Sequence, residues 1–326
     1  RVRNEEHTRF KSILLLILLS MVGLCGWHIS KDGLGNRQWV INLSLINEDL
    51  KQEYFESAIR PEICEQLTKI NDDSRCASTR DQPATVLLGD SHAPPLFYGL
   101  SKLYEELDRG VAVLGGGGGC PPLYGVVSKN GDVSDSWNCV ERISHTIDLI
   151  VQTEFIEEVM LVSRGPLYTS GKGFGSFWGD PYSDWVLHFM NNEPKYMSNE
   201  EVFRQGLKMT IEKLFLANKK VTYVFDVPEL GFDIRSCFSD LFYFPRTEVR
   251  DSCSLNRDRY VDRVARFKSL VYEELSKHPE VRTIDLSMAL CDSGSCFGGN
   301  DGRLFYKDDD HLSRYGAKHV VDSLRS

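Results

Sequence analysis

The sequence lacks an excess of basic residues. It has 38 Lys and Arg residues against 47 Asp and Glu residues, which gives a formal net charge of −9. A general nucleic-acid binder needs a basic face that replaces the counterions condensed on the phosphates. We therefore expect no nucleic-acid partner for this chain.

Patterns that bind metals or nucleotides are missing as well. No pair of cysteines has the short C-x2-C spacing with a matching second pair, which argues against a structural zinc site. The glycine run at Gly115–Gly119 lacks the spacing of a dinucleotide-binding or phosphate-binding loop. We expect no metal and no cofactor in this domain.

What is present is the composition of an ordinary globular protein. Hydrophobic residues make up 41% of the chain and charged residues 26%. A length of 326 residues allows one large α/β domain with additions, or two modest domains.

A long apolar segment near the N-terminus predicts a membrane anchor. Residues 13–29, ILLLILLSMVGLCGWHI, contain no charge, and as a helix they span roughly 26 Å, close to the hydrocarbon core of a bilayer. A cleaved signal peptide is the alternative, but no small-x-small cleavage site follows the segment. Four basic residues precede it: Arg1, Arg3, Arg9 and Lys11. By the positive-inside rule, we predict a cytoplasmic tail over residues 1–11, a transmembrane helix over 12–29 and an extracytoplasmic remainder.

Eight of the nine cysteines fall into neighbouring couples after this segment. The couples are Cys64 with Cys76, Cys120 with Cys139, Cys237 with Cys253, and Cys291 with Cys296. Eight cysteines allow 105 pairings, so the sequence leaves the connectivity open. Nearest-neighbour pairing is the economical expectation, because each couple brackets a stretch typical of a loop. Four disulfides would place the domain in an oxidising compartment.

From residue 83 onward, apolar runs alternate with segments of helical period. The predicted strands are 84–90, 111–115, 158–164, 221–229 and 281–287, and the predicted helices are 140–155, 200–217, 256–277 and 313–324. Apolar strands separated by helices indicate a parallel sheet covered on both faces. We predict a three-layer α/β/α domain with a five-stranded, flavodoxin-like sheet over residues 83–326. Residues 30–82 form a polar linker with a helix around Glu48–Ile59.

Two short motifs carry the candidate chemistry. Ser91, in "VLLGDSHAPP", directly follows the first strand, where open parallel sheets bind their ligands. Gly-Asp-Ser is also an ordinary turn sequence. In "YKDDDHLSRYG", Asp308 and His311 are spaced so that one tight turn presents both. A nucleophilic serine needs such a base and carboxylate. The alternative is a solvated acidic turn with Ser313 as the helix N-cap.

These motifs resemble the first and last blocks of the SGNH (GDSL-like) hydrolase superfamily, over roughly residues 84–324. The chain is more similar to one branch, the extracytoplasmic SGNH domains fused to acyltransferase-3 membrane proteins that O-acetylate bacterial surface polysaccharides. The features shared with that branch are "CPPL" at 120–123, Pro228–Glu229, the Cys291 and Cys296 couple, and "YKDDDHLS" at 306–313.

The resemblance implies roles for individual residues. Ser91 is the nucleophile, His311 the general base and then acid, and Asp308 the carboxylate that orients it. Gly119, or Gly118, and the backbone N–H of Ser91 are the expected oxyanion donors. Arg164 stands where the family has an asparagine donor, and it either replaces that donor or is an ordinary ion-pair residue. Asp90 and His92 are expected to serve local hydrogen bonding.

The predicted loop at 165–197 carries several aromatic residues among glycines. Trp178, Tyr182 and Trp185, with Tyr196, are candidates for stacking on sugar rings, or they pack the loop on the domain. Loops of this length in a compact domain are usually functional or disordered. We regard the first three as the candidate substrate-binding residues.

Three functions remain open at this point. The resemblance implies an O-acetyltransferase of the inner membrane, whose residues 30–326 lie in the periplasm and act on a polysaccharide or lipid-linked oligosaccharide. The acetyl group would come ultimately from acetyl-coenzyme A through an acyltransferase-3 membrane domain. Because "RVRN" resembles the end of such a domain, we expect it upstream in the same chain. A periplasmic acetyl-esterase and a non-catalytic glycan-binding domain are the alternatives.

Overall fold

The N-terminal segment is a single long helix. The computed structural model describes residues 2–32, 47–51, 53–56, 58–68, 76–115, 118–130, 138–175, 184–190, 197–238 and 253–325. Helix α1 (Val2–Asp32) contains the apolar stretch Arg9–Trp27, 19 residues with a mean hydropathy of 2.0 and no buried side chain. At about 1.5 Å per residue, this stretch is long enough to cross a bilayer.

A six-stranded sheet forms the centre of the domain. Its strands are β1 (Ala77–Ser78), β2 (Thr85–Gly89), β3 (Val111–Leu114), β5 (Glu158–Ser163), β7 (Lys220–Phe225) and β9 (Arg282–Asp285). The order is β1-β3-β2-β5-β7-β9. The five predicted strands all form, and they pair in parallel. The structure adds β1, which pairs antiparallel with β3.

The strand order defines where a ligand would bind. Strand β2 lies between β3 and β5, so the chain changes direction across the sheet at β2. In doubly wound folds the binding crevice lies at such a switch point, beyond the carboxyl ends of the strands. Ser91 follows β2 by two residues and therefore lies at this point.

Helices cover both faces of the sheet. They are α2 (Glu62–Thr68), α3 (Ala93–Glu106), α4 (Cys139–Gln152), α5 (Gly165–Ser170), α6 (Asn199–Leu216), α7 (Arg257–Leu275) and α8 (Arg314–Ser323). Neighbouring residues of β2 pack in two different hydrophobic clusters. Leu88 packs with residues of α4, α6 and α7, whereas Leu87 packs with residues of α3 and α8. The predicted three-layer α/β/α architecture is confirmed.

Three two-stranded pairs lie outside the central sheet. They are β4 (Val126–Asn130) with β6 (Trp185–Phe189), β8 (Ser254–Asn256) with β10 (Ser295–Phe297), and β11 (Gly299–Asn300) with β12 (Arg303–Leu304). The segment 165–197, predicted as a loop, contains α5 and β6. The glycines and aromatic residues in this stretch obscure the alternation of apolar and polar residues that would indicate strand β6. Its partner β4 lies more than fifty residues earlier in the chain.

The helix predicted around Glu48–Ile59 is wrong. Of the described residues there, only 47–49 are helical, and Ile59 forms a bridge with Ser78. Long-range contacts hold the segment instead. The carboxylate of Asp49 binds Arg303 and accepts the Leu304 backbone N–H, and the Tyr54 hydroxyl donates to the Leu312 carbonyl at 2.7 Å. The segment is thus tied to the chain on either side of the loop at 306–311.

Nearest-neighbour pairing of the cysteines is confirmed. Disulfides join Cys64 to Cys76, Cys120 to Cys139, Cys237 to Cys253 and Cys291 to Cys296. Cys25 in the apolar helix is exposed and unpaired.

Candidate active site

The chain around Ser91 is fixed by close packing at the end of β2. A Cβ atom at Gly89 would lie 2.1 Å from the carbonyl oxygen of Val162 in β5, so only glycine fits there. After Asp90 and Ser91 the chain enters α3, whose first turn contains Pro94 and Pro95. Proline suits the first turn of a helix because it removes an N–H that has no intrahelical partner. The serine is therefore held between a strand end and a helix start.

The structure brings Ser91 and His311 into hydrogen-bond contact. The Nε2 atom of His311 lies 2.8 Å from the Oγ atom of Ser91. The other ring nitrogen, Nδ1, lies 3.0 and 3.1 Å from the two carboxylate oxygens of Asp308. Asp308 also accepts the backbone N–H groups of Asp310 and His311, at 3.1 and 2.7 Å. The predicted serine, imidazole and carboxylate thus form one connected chain.

A second carboxylate, which the sequence analysis missed, faces the same imidazole nitrogen. An oxygen of Asp310 lies 2.7 Å from Nδ1 of His311. Asp310 is buried, with a side chain 3% exposed, whereas the Asp308 side chain is 23% exposed. Spacing alone does not distinguish the two, because three aspartates in a row precede the histidine. What distinguishes Asp310 is its contact with Arg164, which lies far from it in the chain.

Charges around His311 favour its protonated form. Burial opposes the charge on the ring, but Asp310 and Asp308 outweigh burial and raise the pKa of His311 to about 10. Burial likewise opposes the charge of Asp310, yet His311 and Arg164 hold the pKa of that carboxyl well below its ordinary value. The imidazole and the buried carboxylate therefore form an ion pair at neutral pH.

Arg164 contacts carboxylates on two sides. Its Nε lies 2.5 Å from Glu229, and its Nη1 lies 2.6 Å from Asp310. The other carboxylate oxygen of Glu229 lies 2.6 Å from Nε of Arg263. The positive charges of Arg164 and Arg263 overcome burial and lower the pKa of Glu229. Of the two roles considered for Arg164, the structure shows the ion pair. Donation to an oxyanion stays a prediction.

Asp90 organises the backbone beneath the site, as predicted. It accepts the backbone N–H of His92 at 3.0 Å, the backbone N–H of Arg164 at 2.9 Å, and the Tyr168 hydroxyl at 2.8 Å. The ends of β2 and β5 and helix α5 are thereby joined through one buried carboxylate.

His92 packs against the His311 imidazole. Its ring stacks on the His311 ring with centroids 4.4 Å apart, and its Nδ1 lies 2.6 Å from a buried oxygen of Asp226. Burial opposes the charge of His92, but Asp226 outweighs it and raises the pKa of His92. His92 is thus held by charge and by stacking.

The predicted oxyanion loop lies against a candidate substrate-binding residue. Gly119 has a left-handed backbone with φ of 80°, and a Cβ there would lie 2.3 Å from the Trp185 indole. Trp185 also meets Tyr168 edge to face, with ring centroids 5.8 Å apart. The neighbouring Cys120 is tied to α4 by its disulfide with Cys139. Trp178, Tyr182 and Tyr196 lie outside the described residues.

Among the residues that the structure describes, two overlapping groups of acidic and imidazole side chains have the spacing of a cation site. His92, Asp310 and His311 place ligand-type atoms within 4.8 Å of one another, as do the three aspartates at 308–310. The guanidinium of Arg164 already lies 2.6 Å from Asp310. A cation would have to displace or share space with that guanidinium, so these groups fit an ion-pair network better than a metal centre.

Comparison with known proteins identifies related folds. The sequence profile of SGNH domains fused to AT3 domains matches residues 63–326. No significant match was found among curated proteins. A solved structure of the periplasmic domain of a lipopolysaccharide acetyltransferase from Salmonella serovar Paratyphi A is 19% identical, with a TM-score of 0.51. That alignment covers 76% of this chain and 84% of the Salmonella domain. At this identity the likeness shows the fold.

Two further solved structures are more distant. A Bacteroides fragilis protein described as an acylhydrolase is 10% identical with a TM-score of 0.39, over 80% of this chain and 91% of its own. A GDSL-like lipase from Bacteroides thetaiotaomicron is 8% identical with a TM-score of 0.38, over 81% of this chain and 95% of its own.

Proposed function

Because the chain belongs to the family of SGNH domains fused to acyltransferase-3 (AT3) domains, we propose that it catalyses O-acetylation of a bacterial cell-envelope polysaccharide. The family supports transfer or hydrolysis of an acyl group in general terms. The specific reaction, its acceptor and its donor are our proposal. The observation that carries it is the 2.8 Å contact between His311 Nε2 and Ser91 Oγ.

The first half of the reaction acylates the serine. The neutral form of His311 accepts the hydroxyl proton of Ser91 as Oγ attacks the carbonyl carbon of the acetyl donor. Asp308 keeps the remaining proton on Nδ1, so that Nε2 is the atom facing the serine. The backbone N–H groups of Ser91 and Gly119 receive the oxyanion. His311 then gives the proton to the leaving group, and an acetyl ester remains on Ser91.

The second half transfers the acetyl group to a sugar. A sugar hydroxyl gives its proton to His311 and attacks the acetyl-serine, and His311 returns that proton to Ser91 as the ester bond breaks. Water in place of the sugar gives hydrolysis by the same steps. We propose transfer because helix α1 and the family's fusion to AT3 domains support a membrane partner for this domain. Trp185, with Trp178 and Tyr182, would supply the sugar-stacking surface.

The proposed location is supported by the same helix and by the disulfides. The apolar helix α1 and the four disulfides indicate a membrane-anchored protein with an extracytoplasmic domain. We place the anchor in the inner membrane and residues 30–326 in the periplasm. Acetyl-coenzyme A, the proposed ultimate donor, would then deliver its acetyl group through the AT3 domain, with no cofactor held by this domain.

The test uses the full chain in detergent micelles, with p-nitrophenyl acetate as donor and an envelope oligosaccharide as acceptor. Mass spectrometry measures acetylated oligosaccharide against free acetate, for the wild-type protein and for Ser91→Ala. We expect the wild-type protein to yield acetylated oligosaccharide in clear excess over the free acetate formed by hydrolysis. We expect Ser91→Ala to yield none. Acetate alone would identify a hydrolase instead. An inert wild-type protein that retains the oligosaccharide would identify a binding domain.

A further inference from the structure

The buried carboxylate of Asp310 lies between the catalytic imidazole and a guanidinium. One of its oxygens is 2.7 Å from Nδ1 of His311, and the other is 2.6 Å from Nη1 of Arg164. Asp308, the partner predicted from the sequence, approaches the same Nδ1 from the more exposed side. The imidazole therefore has two carboxylates at one nitrogen and the serine hydroxyl at the other.

Arg164 is fixed independently of His311. Glu229, with a side chain only 4% exposed, binds the Nε of Arg164 and the Nε of Arg263 with its two oxygens. The backbone N–H of Arg164 is bound to Asp90. These contacts hold the guanidinium at Asp310, and that guanidinium supplies the positive charge that a buried carboxylate requires.

We propose that Asp310 is a second positioning carboxylate for His311, and that Arg164 serves the reaction by holding Asp310 rather than by donating to the oxyanion. This inference rests on the acyl-serine chemistry proposed above. When Ser91 loses its proton to Nε2, both ring nitrogens carry protons. Asp310 then binds the Nδ1–H of the resulting imidazolium from the buried side, where electrostatic attraction is least screened.

Several other groups face this ion pair and enter its titration. On the His311 side they are Asp308, Ser91 and the stacked ring of His92. His92 also lies 3.8 Å from Asp310 through its Nε2, and its Nδ1 is paired with Asp226. Arg164 and, through Glu229, Arg263 complete the surroundings. Because the charge of His311 lowers the pKa of the stacked His92, the two rings are electrostatically coupled, and His92 must stay unchanged in the test variants.

The experiment measures the rate at which a fluorophosphonate probe labels Ser91 as a function of pH, with the full chain in detergent. We compare the wild-type protein with Asp310→Asn, Arg164→Met and the double variant. Asp322→Asn is the control, since it removes the same charge from an exposed position on α8. We expect Asp310→Asn to lower the plateau rate of labelling, reached above the pH midpoint, at least tenfold, and to move that midpoint down by about one unit or more, because a carboxylate facing His311 is lost.

The double variant separates the two roles of Arg164. If Arg164 acts through Asp310, adding Arg164→Met to Asp310→Asn slows labelling less than threefold further. If Arg164→Met slows labelling by the same factor in the Asp310→Asn variant as in the wild-type protein, Arg164 acts at the oxyanion and the inference is overturned. An Asp310→Asn variant with the wild-type rate and midpoint would also overturn it. Failure of the wild-type protein to be labelled would instead refute the proposed function.

A second measurement does not depend on the stability of the Asp310 variant. NMR titration of 15N-labelled histidine in Asp308→Asn follows the pKa of His311 with Asp310 still in place. We expect the pKa to remain at least one unit above its ordinary value of about 6.5. A return to that value would show that Asp308 alone sets the state of the imidazole, and it would contradict the role of Asp310.

Discussion

The Nε2 atom of His311 lies 2.8 Å from the Oγ atom of Ser91, although 220 positions separate the two residues in the chain. Ser91 follows the first parallel strand, and His311 lies in the last loop before the final helix. The flavodoxin-like strand order brings both loops to the same edge of the sheet. Asp49 and Tyr54 of the preceding segment bind the chain just before and just after the His311 loop.

The rate of serine acylation is expected to depend steeply on pH. Only the neutral form of His311 accepts the serine proton, and its pKa is raised to about 10 by Asp310 and Asp308 against the effect of burial. Below that pH the neutral fraction falls tenfold per unit. We therefore expect kcat/KM for p-nitrophenyl acetate to keep increasing up to about pH 10. The Ser91→Ala variant supplies the correction for alkaline hydrolysis, and a plateau from pH 7 onward would contradict the charge arrangement.

The linker contact through Asp49 is expected to stabilise the catalytic domain. Asp49 is fully buried, and its carboxylate binds the Arg303 side chain and the Leu304 backbone. Breaking a buried ion pair by removing one partner costs about 3–5 kcal/mol. We expect Asp49→Ala to lose about 3 kcal/mol in urea unfolding, the lower end of that range, because Arg303 is partly exposed.

The matched control for Asp49 is a surface pair in the same segment. Glu56, whose side chain is 59% exposed, pairs with Arg314. Exposed pairs contribute about 0–1 kcal/mol, so Glu56→Gln should shift the unfolding midpoint little. Equal losses of stability in Asp49→Ala and Glu56→Gln would show that the buried contact of Asp49 contributes no more than the surface pair.

The disulfide between Cys120 and Cys139 is expected to serve both stability and turnover. It closes a segment with a sequence separation of 19 and adjoins Gly119, the proposed oxyanion donor. Replacing both cysteines with alanine should cost about 2–5 kcal/mol of stability. Because full loss of an oxyanion donor lowers kcat about 10²–10³-fold, looser placement should lower it on the order of tenfold.

A second disulfide provides the comparison for that experiment. Cys64 and Cys76 lie in the lead-in to the sheet and do not adjoin Gly119, Ser91 or His311. The Cys64→Ala/Cys76→Ala variant should lose stability with kcat nearly unchanged below its melting range. A kcat loss of the same size in both variants would show that the Cys120–Cys139 disulfide has no specific role at the site.

The central sheet could be predicted because its signals are local. Runs such as VAVL at 111–114 are apolar and β-branched, and each is bounded by a segment of helical period. Such runs form buried parallel strands largely irrespective of distant residues. The cysteine couples were similarly informative, since each brackets a stretch with few alternative partners nearby.

Other features could not be predicted because they depend on distant partners. The segment from Asp49 to Tyr54 has residues compatible with a helix, but the helix ends after Asp49, and contacts with residues more than 250 positions away hold the segment. Asp310 was missed for the same kind of reason. Its role depends on Arg164, which comes from another strand end, and the sequence shows only three adjacent aspartates.

The most direct test of the account is intact-mass analysis of the full chain after brief exposure to p-nitrophenyl acetate or a fluorophosphonate. The account predicts a single adduct that peptide mapping places on Ser91, and its loss in both Ser91→Ala and His311→Ala. An adduct that persists in Ser91→Ala, or one that forms on Ser91 at the wild-type rate in His311→Ala, would contradict the claim that His311 activates this serine.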